Sequence, residues 1–270
     1  MMPPPVCTAS HVPFDDRGLA YGDGLFETVL LRAGEPVLWQ YHMDRLALGC
    51  ERLGMPLPSQ ASLDATWQGG ASTALEVLKL ILTRGSGGRG YALPEQVTPR
   101  LLSRRAPFQP SVERWRQGVT VRLCELRLSR QPRLAGIKHL NRLENVLARQ
   151  EWSDTTIAEG VLADSEGVVV EATSMNVFWR QAGKVFTPLL EQCGVAGTLR
   201  AALIEQGAVT PASLPLAHLT DVEQLWVANS VQGVWPVTTL LSSDGSLLKR
   251  WPTCSADSFQ HLAHQLLGFA

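Results

Sequence analysis

Lysine is scarce in this chain. Of the 24 basic residues, 20 are arginine and only four are lysine: Lys79, Lys138, Lys184 and Lys249. Arginine grips phosphates and carboxylates but cannot form an imine with a carbonyl at neutral pH. Amine chemistry therefore has four candidates. Cysteine is sparse too, with five residues at 7, 50, 124, 193 and 254 and no CxxC pair. An odd count without that spacing suggests neither a disulfide framework nor a zinc site. Neither sign of charge is in excess: the formal net charge is −1. That argues against a broad nucleic-acid or anionic-membrane surface, though not against a local basic patch. No window approaches the roughly 18 apolar residues of a membrane-spanning helix. The opening Met-Met-Pro-Pro-Pro does not resemble a signal peptide. The expectation is a soluble protein in a reducing, cytoplasmic setting, with no nucleic-acid or membrane partner.

What is present is ordinary globular material. The chain has 270 residues, 45% of them hydrophobic and 18% charged, enough for a sizeable core in one or two domains. No fixed-period repeat or low-complexity tract occurs. Residues 28–39 read as two short strands around Ala33-Gly34-Glu35-Pro36. Residues 41–53 read as a helix closed by Gly54, and 59–68 as a weaker one. Residues 74–83, 100–103 and 119–128 read as strands. The chain loosens around Pro107 and Pro110, placing a boundary at 105–118. Beyond it, 141–152 reads as an amphipathic helix with Leu140, Leu143 and Leu147 on one face. Strands follow at 160–163, 168–172, 176–180, 184–187, 225–228 and 237–241, with helices at 198–206 and 255–267. The fold class is α+β: a smaller mixed part over 1–110 and a larger, β-rich part over 118–270 that includes Lys138.

Several patterns carry possible chemistry. Gly85-Ser86-Gly87-Gly88-Arg89-Gly90 matches G-x-G-x-x-G after a strand, but Tyr91-Ala92-Leu93-Pro94 starts a helix poorly. A dinucleotide site needs that helix. The stretch reads instead as a loop that carries Arg89 and Tyr91. His261 and His264 stand one helical turn apart without a clear third ligand, so packing is favoured over metal binding and no metal site is assigned. His42, one turn before Arg45, reads as helix surface. Lys79, Lys184 and Lys249 have plain surface readings.

Lys138 is different. Gly136-Ile137-Lys138-His139-Leu140-Asn141-Arg142-Leu143-Glu144 puts it where an extended segment meets a helix. The helix's positive end and nearby Arg142 disfavour the ammonium there. Thirty-three residues on, the apolar run Gly167-Val168-Val169-Val170 delivers one carboxylate, Glu171. Gly194-Val195-Ala196-Gly197-Thr198-Leu199-Arg200 opens a helix whose backbone N–H groups suit an anion, or else is a glycine turn capped near Thr198. An imine-forming amine, a carboxylate and a phosphate cradle are the parts needed to hold pyridoxal 5′-phosphate, PLP. The carboxylate keeps the pyridine nitrogen protonated, making the ring an electron sink.

From Arg17-Gly18-Leu19-Ala20-Tyr21-Gly22-Asp23-Gly24-Leu25-Phe26-Glu27-Thr28 to about Pro236, the sequence resembles the fold-type IV PLP enzymes. These include branched-chain and D-amino acid aminotransferases and aminodeoxychorismate lyases. The resemblance implies that Lys138 is the Schiff-base lysine, and that Glu171, in Glu171-Ala172-Thr173-Ser174-Met175-Asn176, partners the pyridine nitrogen. It implies that Arg45, in His42-Met43-Asp44-Arg45-Leu46, binds phosphate. Gly197, Thr198, Leu199, Asn229 and Ser230 complete the cofactor contacts. Within the family, Arg84-Gly85-Ser86-Gly87-Gly88-Arg89-Gly90-Tyr91 and the stretch after Lys138 are more similar to the lyases than to the aminotransferases. The implied reaction converts 4-amino-4-deoxychorismate to 4-aminobenzoate and pyruvate, a step toward folate. Lys138 would be the base, Thr28 or Lys138 the proton donor to the departing enolpyruvate, and Arg89, Tyr91 and Arg142 candidates for the substrate carboxylates. A homodimer is implied as well. Two alternatives stay open: an aminotransferase of the same fold, and a cofactor-free binding module.

Overall fold

The computed structural model describes residues 7–8, 11–69, 74–253 and 257–269. The chain divides into two compact units. One comprises residues 1–109 and 137–141; the other comprises 110–136 and 142–270.

The first unit contains β1 (Cys7–Thr8), α1 (Arg17–Tyr21), β2 (Gly24–Arg32), β3 (Glu35–Pro36), α2 (Trp39–Leu53), α3 (Gln60–Asp64), β4 (Glu76–Thr83) and β5 (Arg100–Pro107). They form a five-stranded sheet in the order β1-β5-β4-β2-β3. The β2–β3 hairpin turns at Ala33-Gly34, as the sequence suggests, but Trp39 opens the helix instead of ending a strand. In β4 the residues alternate. Leu78, Leu80 and Leu82 are fully buried, while Lys79 and Ile81 face the other side. Helix α2 buries His42, Met43, Leu46, Gly49 and Cys50, the spacing of one helical face. Gly49 lets Leu25 of β2 approach: an added Cβ would lie 2.7 Å from both Leu25 methyls.

The second unit contains α4 (Val112–Gln117), β6 (Val119–Leu128), α5 (Leu143–Arg149), β7 (Ile157–Asp164), β8 (Val169–Ala172), β9 (Asn176–Gln181), β10 (Lys184–Pro188), α6 (Thr198–Glu205), β11 (Thr210–Ala212), β12 (Gln224–Asn229), β13 (Gly233–Leu241), β14 (Leu247–Arg250) and α7 (Ser258–Leu266). Its sheet runs β11-β10-β9-β12-β13-β6-β7-β8, with β14 also on β13. Both faces are covered, so β12 reads as an unbroken apolar run (Leu225-Trp226-Val227-Ala228) rather than an alternating one. Trp179, Leu225, Val227, Trp235 and Val237 fill one side. On the other, Phe259 of α7 meets Phe178 and Trp226 at 5.2 and 4.9 Å between ring centroids.

Three expectations change. The loosened stretch at 105–118 holds the end of β5 and all of α4. The helix expected over 141–152 is shorter, and Leu143 and Leu147, expected on one apolar face, are 75% and 53% exposed. Periodicity shows that a helix face is apolar, not that this chain covers it. Finally, Lys138 groups with the N-terminal unit, not with 118–270. Its segment pairs with β2: the Phe26 N–H donates to the Lys138 carbonyl, Leu25 bridges His139, and the Leu140 N–H donates to the Gly24 carbonyl. Ser255, the expected start of the last helix, lies outside the described residues.

Candidate active site

The first unit places Lys138 by backbone pairing. Antiparallel to β2, the 138–140 segment carries the Lys138 amine over the Phe26 ring, 4.5 Å from its centroid. Gly24 makes this approach possible, because a Cβ there would overlap the Leu82 carbonyl and press on Leu140. Thr28 lies two residues beyond Phe26, on the same face of β2. Its register partner on β4 is Lys79. The Lys79 amine also lies over Phe26, 3.7 Å from the centroid, and burial pulls its pKa below the usual lysine value. The surface reading of Lys79 is therefore corrected: strand alternation turns it toward the same ring as Lys138.

Glu27 points to the opposite face of β2, against α2. Its carboxylate accepts from Arg45 Nε at 2.8 Å and Nη2 at 2.5 Å, and lies 2.6 Å from His42 Nδ1. Burial opposes ionisation of Glu27, but Arg45 and His42 outweigh it and hold the carboxyl down to about 2. His42 is completely buried, which corrects its reading as helix surface. Burial lowers its pKa, with Glu27 opposing, and the charge of Lys138 acts in the same direction as burial. Arg45 is thus a guanidinium held in a set orientation by a fork of charged hydrogen bonds. The signal was in the sequence: His42 and Arg45 share one helix face, and Glu27 alternates away from Phe26 and Thr28. Arg89 and Tyr91 lie on the exposed loop after β4.

The second unit arranges its residues around Val195. Glu171 is buried at the end of β8, and its Oε2 accepts from the Val195 N–H at 2.8 Å. Its Oε1 accepts from Asn145 Nδ2 at 3.4 Å. Asn176 Nδ2 donates to the Val195 carbonyl at 2.8 Å. The flanking residues are fixed too: the Gly136 N–H donates to the Gly194 carbonyl and the Ala196 N–H to the Gly136 carbonyl. Gly197 is the N-cap of α6 and supplies no side-chain cap. A Cβ at Gly197 would overlap Asn176 Oδ1. Thr198 and Leu199 follow, both buried. A glycine-capped helix start beside a held carboxylate can take an anion at one end and a cationic nitrogen at the other.

Other candidates in this unit have structural partners. Asn229 Oδ1 accepts from the Val231 and Gln232 N–H groups, and its Nδ2 donates to the Ser174 carbonyl, tying the turn with Ser230 to the loop after Glu171. Arg142 Nη1 donates to Asn145 Oδ1 at 3.4 Å. Sequence reasoning missed Glu159, whose buried carboxylate accepts from the Thr173 and Ser174 hydroxyls and holds that same loop. It also missed Asn145, which carries no motif, and gave no role to Asn176, which closes the Glu171 stretch. His264, weighed as a metal ligand, accepts the Val234 N–H at Nε2 and packs on Trp115.

The sequence pattern of the family described as amino-transferase class IV matches residues 24–240. The chain belongs to this family. An aminodeoxychorismate lyase of Vibrio harveyi is 35% identical over 245 residues, covering 88% of this chain and 90% of that protein. The crystal structure of 4-amino-4-deoxychorismate lyase from Pseudomonas aeruginosa superposes with a TM-score of 0.85 at 40% identity. That match covers 96% of this chain and 95% of the other. A putative branched-chain-amino-acid aminotransferase of Methanocaldococcus jannaschii is 28% identical, covering 82% of this chain and 80% of that protein. The α+β, fold-type IV architecture expected from the sequence is borne out. Among the described residues, no helix is long and apolar enough to cross a membrane.

Proposed function

We propose that this protein is a PLP-dependent lyase that converts 4-amino-4-deoxychorismate to 4-aminobenzoate and pyruvate. The observation that carries this reading is its likeness to two lyases of that name, at 35% and 40% identity over most of the chain. The donor set fits PLP. There is an amine for the aldehyde (Lys138), a fixed guanidinium and a glycine-capped helix for the phosphate (Arg45, Gly197, Thr198, Leu199), and a buried carboxylate for the pyridine nitrogen (Glu171). Asn229 and Ser230 support the phosphate end. PLP supplies an electron sink for the pair left when a proton departs from the substrate carbon bearing nitrogen.

The chain's own residues do the rest. Lys138 removes that proton, and Glu171 keeps a proton on the pyridine nitrogen. Loss of the enolpyruvyl oxygen leaves an aromatic ring, so much of the driving force lies in the substrate. Thr28 or Lys138 returns a proton to the departing enolpyruvate, which becomes pyruvate. Arg89, Tyr91 and Arg142 meet the substrate carboxylates. The protein works as a homodimer, a reading supported by the exposed apolar side chains Leu143, Val146 and Leu147 on α5. A reducing, cytoplasmic setting suits its buried free thiols Cys50, Cys124 and Cys193, which burial pushes up to about 12.

Product analysis tests the reaction. Purified protein supplied with PLP and aminodeoxychorismate should release 4-aminobenzoate and pyruvate in equal amounts. Amino-group transfer from D-alanine or L-leucine to 2-oxoglutarate, without that release, would establish the aminotransferase instead. Lys138→Ala should lose the borohydride-trapped cofactor and cut turnover on the order of a thousandfold or more. Normal turnover by that variant would refute the assignment.

A further inference from the structure

Arg17 has no part in the reaction described above, yet it is among the most thoroughly engaged side chains of the first unit. It projects from α1 and is 5% exposed. Its Nη1 donates to the carbonyls of Gly87, Gly90 and Ala92 at 3.3, 3.2 and 3.1 Å. Nη2 reaches the Tyr91 carbonyl at 3.5 Å, and Nε donates to Asp23 Oδ2 at 3.0 Å. Asp23 in turn accepts from Arg84 Nε at 2.7 Å, and Arg84 is anchored on the Leu53 and Gly54 carbonyls at the end of α2. The clasp therefore rests on a rigid helix terminus. Its outer edge is aromatic. The Arg17 guanidinium lies 5.1 Å from the Tyr21 ring centroid, and Tyr21 meets Tyr91 edge-on at 5.3 Å.

The loop has the complementary design. Gly87, Gly88 and Gly90 all have positive φ, and the path they allow brings the Gly87, Gly90, Tyr91 and Ala92 carbonyls to one guanidinium. Gly88 also has no room for a side chain, since a Cβ would overlap the Ala92 carbonyl. With the carbonyls drawn in, the side chains face out: Tyr91 is 85% exposed and Arg89 is exposed. One planar fork with five donors can satisfy several converging carbonyls, whereas an ammonium cannot match that geometry.

We propose that Arg17 is a positioning residue for substrate. It locks the 87–92 loop in the shape that presents Arg89 and Tyr91 to the carboxylates of a cyclic diacid. The proposal rests on the reading that Arg89 and Tyr91 meet substrate. Arg17 touches neither substrate nor cofactor, so its loss should act on KM through the loop and leave the cofactor in place.

Two variants approach the clasp from opposite sides, Arg17→Lys from the helix and Gly88→Ala from the exposed loop. The loop variant acts through the Ala92 carbonyl and leaves the buried Asp23–Arg84 pairing in place, which guards against misfolding of the other. Trypsin cleavage after Arg89, read by mass, reports the loop directly because it tracks the opened population. Both variants should speed that cut roughly tenfold or more, and raise KM for aminodeoxychorismate by a similar factor. Both should keep kcat within about twofold and leave the bound-cofactor absorbance unchanged. An unchanged rate of cleavage in Arg17→Lys overturns the clasp. Faster cleavage with an unchanged KM, while Arg89→Met raises KM, overturns the link to substrate. If Arg89→Met and Tyr91→Phe leave KM alone, the reading beneath the proposal fails and takes the proposal with it. Wild-type protein that does not turn over aminodeoxychorismate fails the lyase reading before any variant is made.

Discussion

Glu27 and Glu171 are both buried carboxylates, 1% and 4% exposed, but different chemistry holds them. Glu27 lies against a side-chain cation, with Arg45 forked onto it and the His42 ring beside it. Glu171 accepts from the Val195 N–H and the Asn145 amide, with the charge of Arg142 acting on it as well. In the first unit one charge orients another, and the carboxylate's role is to aim Arg45. In the second, backbone and amide hydrogen bonds do the orienting, which suits the role proposed for Glu171 opposite a protonated nitrogen. The glycines follow the same division. Gly197 and Gly194 shape the backbone around Glu171, whereas the Glu27 cluster needs only strand alternation and one helix face.

The contrast can be broken by parallel substitutions. Glu27→Gln leaves Arg45 buried with half its partner and removes the compensating charge. Breaking a buried pair in this way costs about 3–5 kcal/mol, so the denaturant midpoint should fall sharply with the slope unchanged. A cost below about 1 kcal/mol would mean that the pair behaves like a solvated one, and the distinction between the units would collapse. Glu171→Gln should do the reverse. An amide oxygen can still accept from the Val195 N–H, so stability should drop only about 1 kcal/mol. Turnover should fall on the order of a hundredfold or more, since a neutral amide does not keep the pyridine nitrogen protonated. Equal stability losses in the two variants would show that Glu171 is structural.

Much of this division was legible in the sequence, and where it was not, the reason is physical. Glycines punctuate the ends of elements, so the end of α2 at Leu53 and the start of α6 at Thr198 were read correctly. Alternation marked β6, and short apolar runs marked β9 and β12. Lys138 and Glu171 could be singled out because each is a lone charged group set against an element boundary. Lys79 and His42 were misread because strand and helix period give direction but not depth. Either residue faces water or a buried cluster depending on contacts from distant segments. The 137–141 excursion is the clearest case. Its pairing with β2 spans more than a hundred residues of sequence, and no local pattern announces it.

Histidine provides the smallest test of the comparison. His42 in the first unit and His264 in the second both have pKa values lowered by burial, His264 to about 4. A histidine kept neutral in the fold takes up its proton first in the unfolded chain. Stability is therefore complete above pH 6.5 and declines as pH falls below it. For His264 the loss ends near pH 4, where the folded form protonates as well. In the first unit it continues, because Glu27 is held down to about 2 and its contribution is lost only between pH 4.5 and 2. His264 is partly exposed, so its share is discounted to about 1–2 kcal/mol. His264→Gln keeps an acceptor for the Val234 N–H but does not titrate. Its stability should therefore fall less steeply than wild type from pH 6.5 to 4, and in parallel with it below pH 4. Identical slopes between pH 6.5 and 4 would show that His264 carries no part of the acid response.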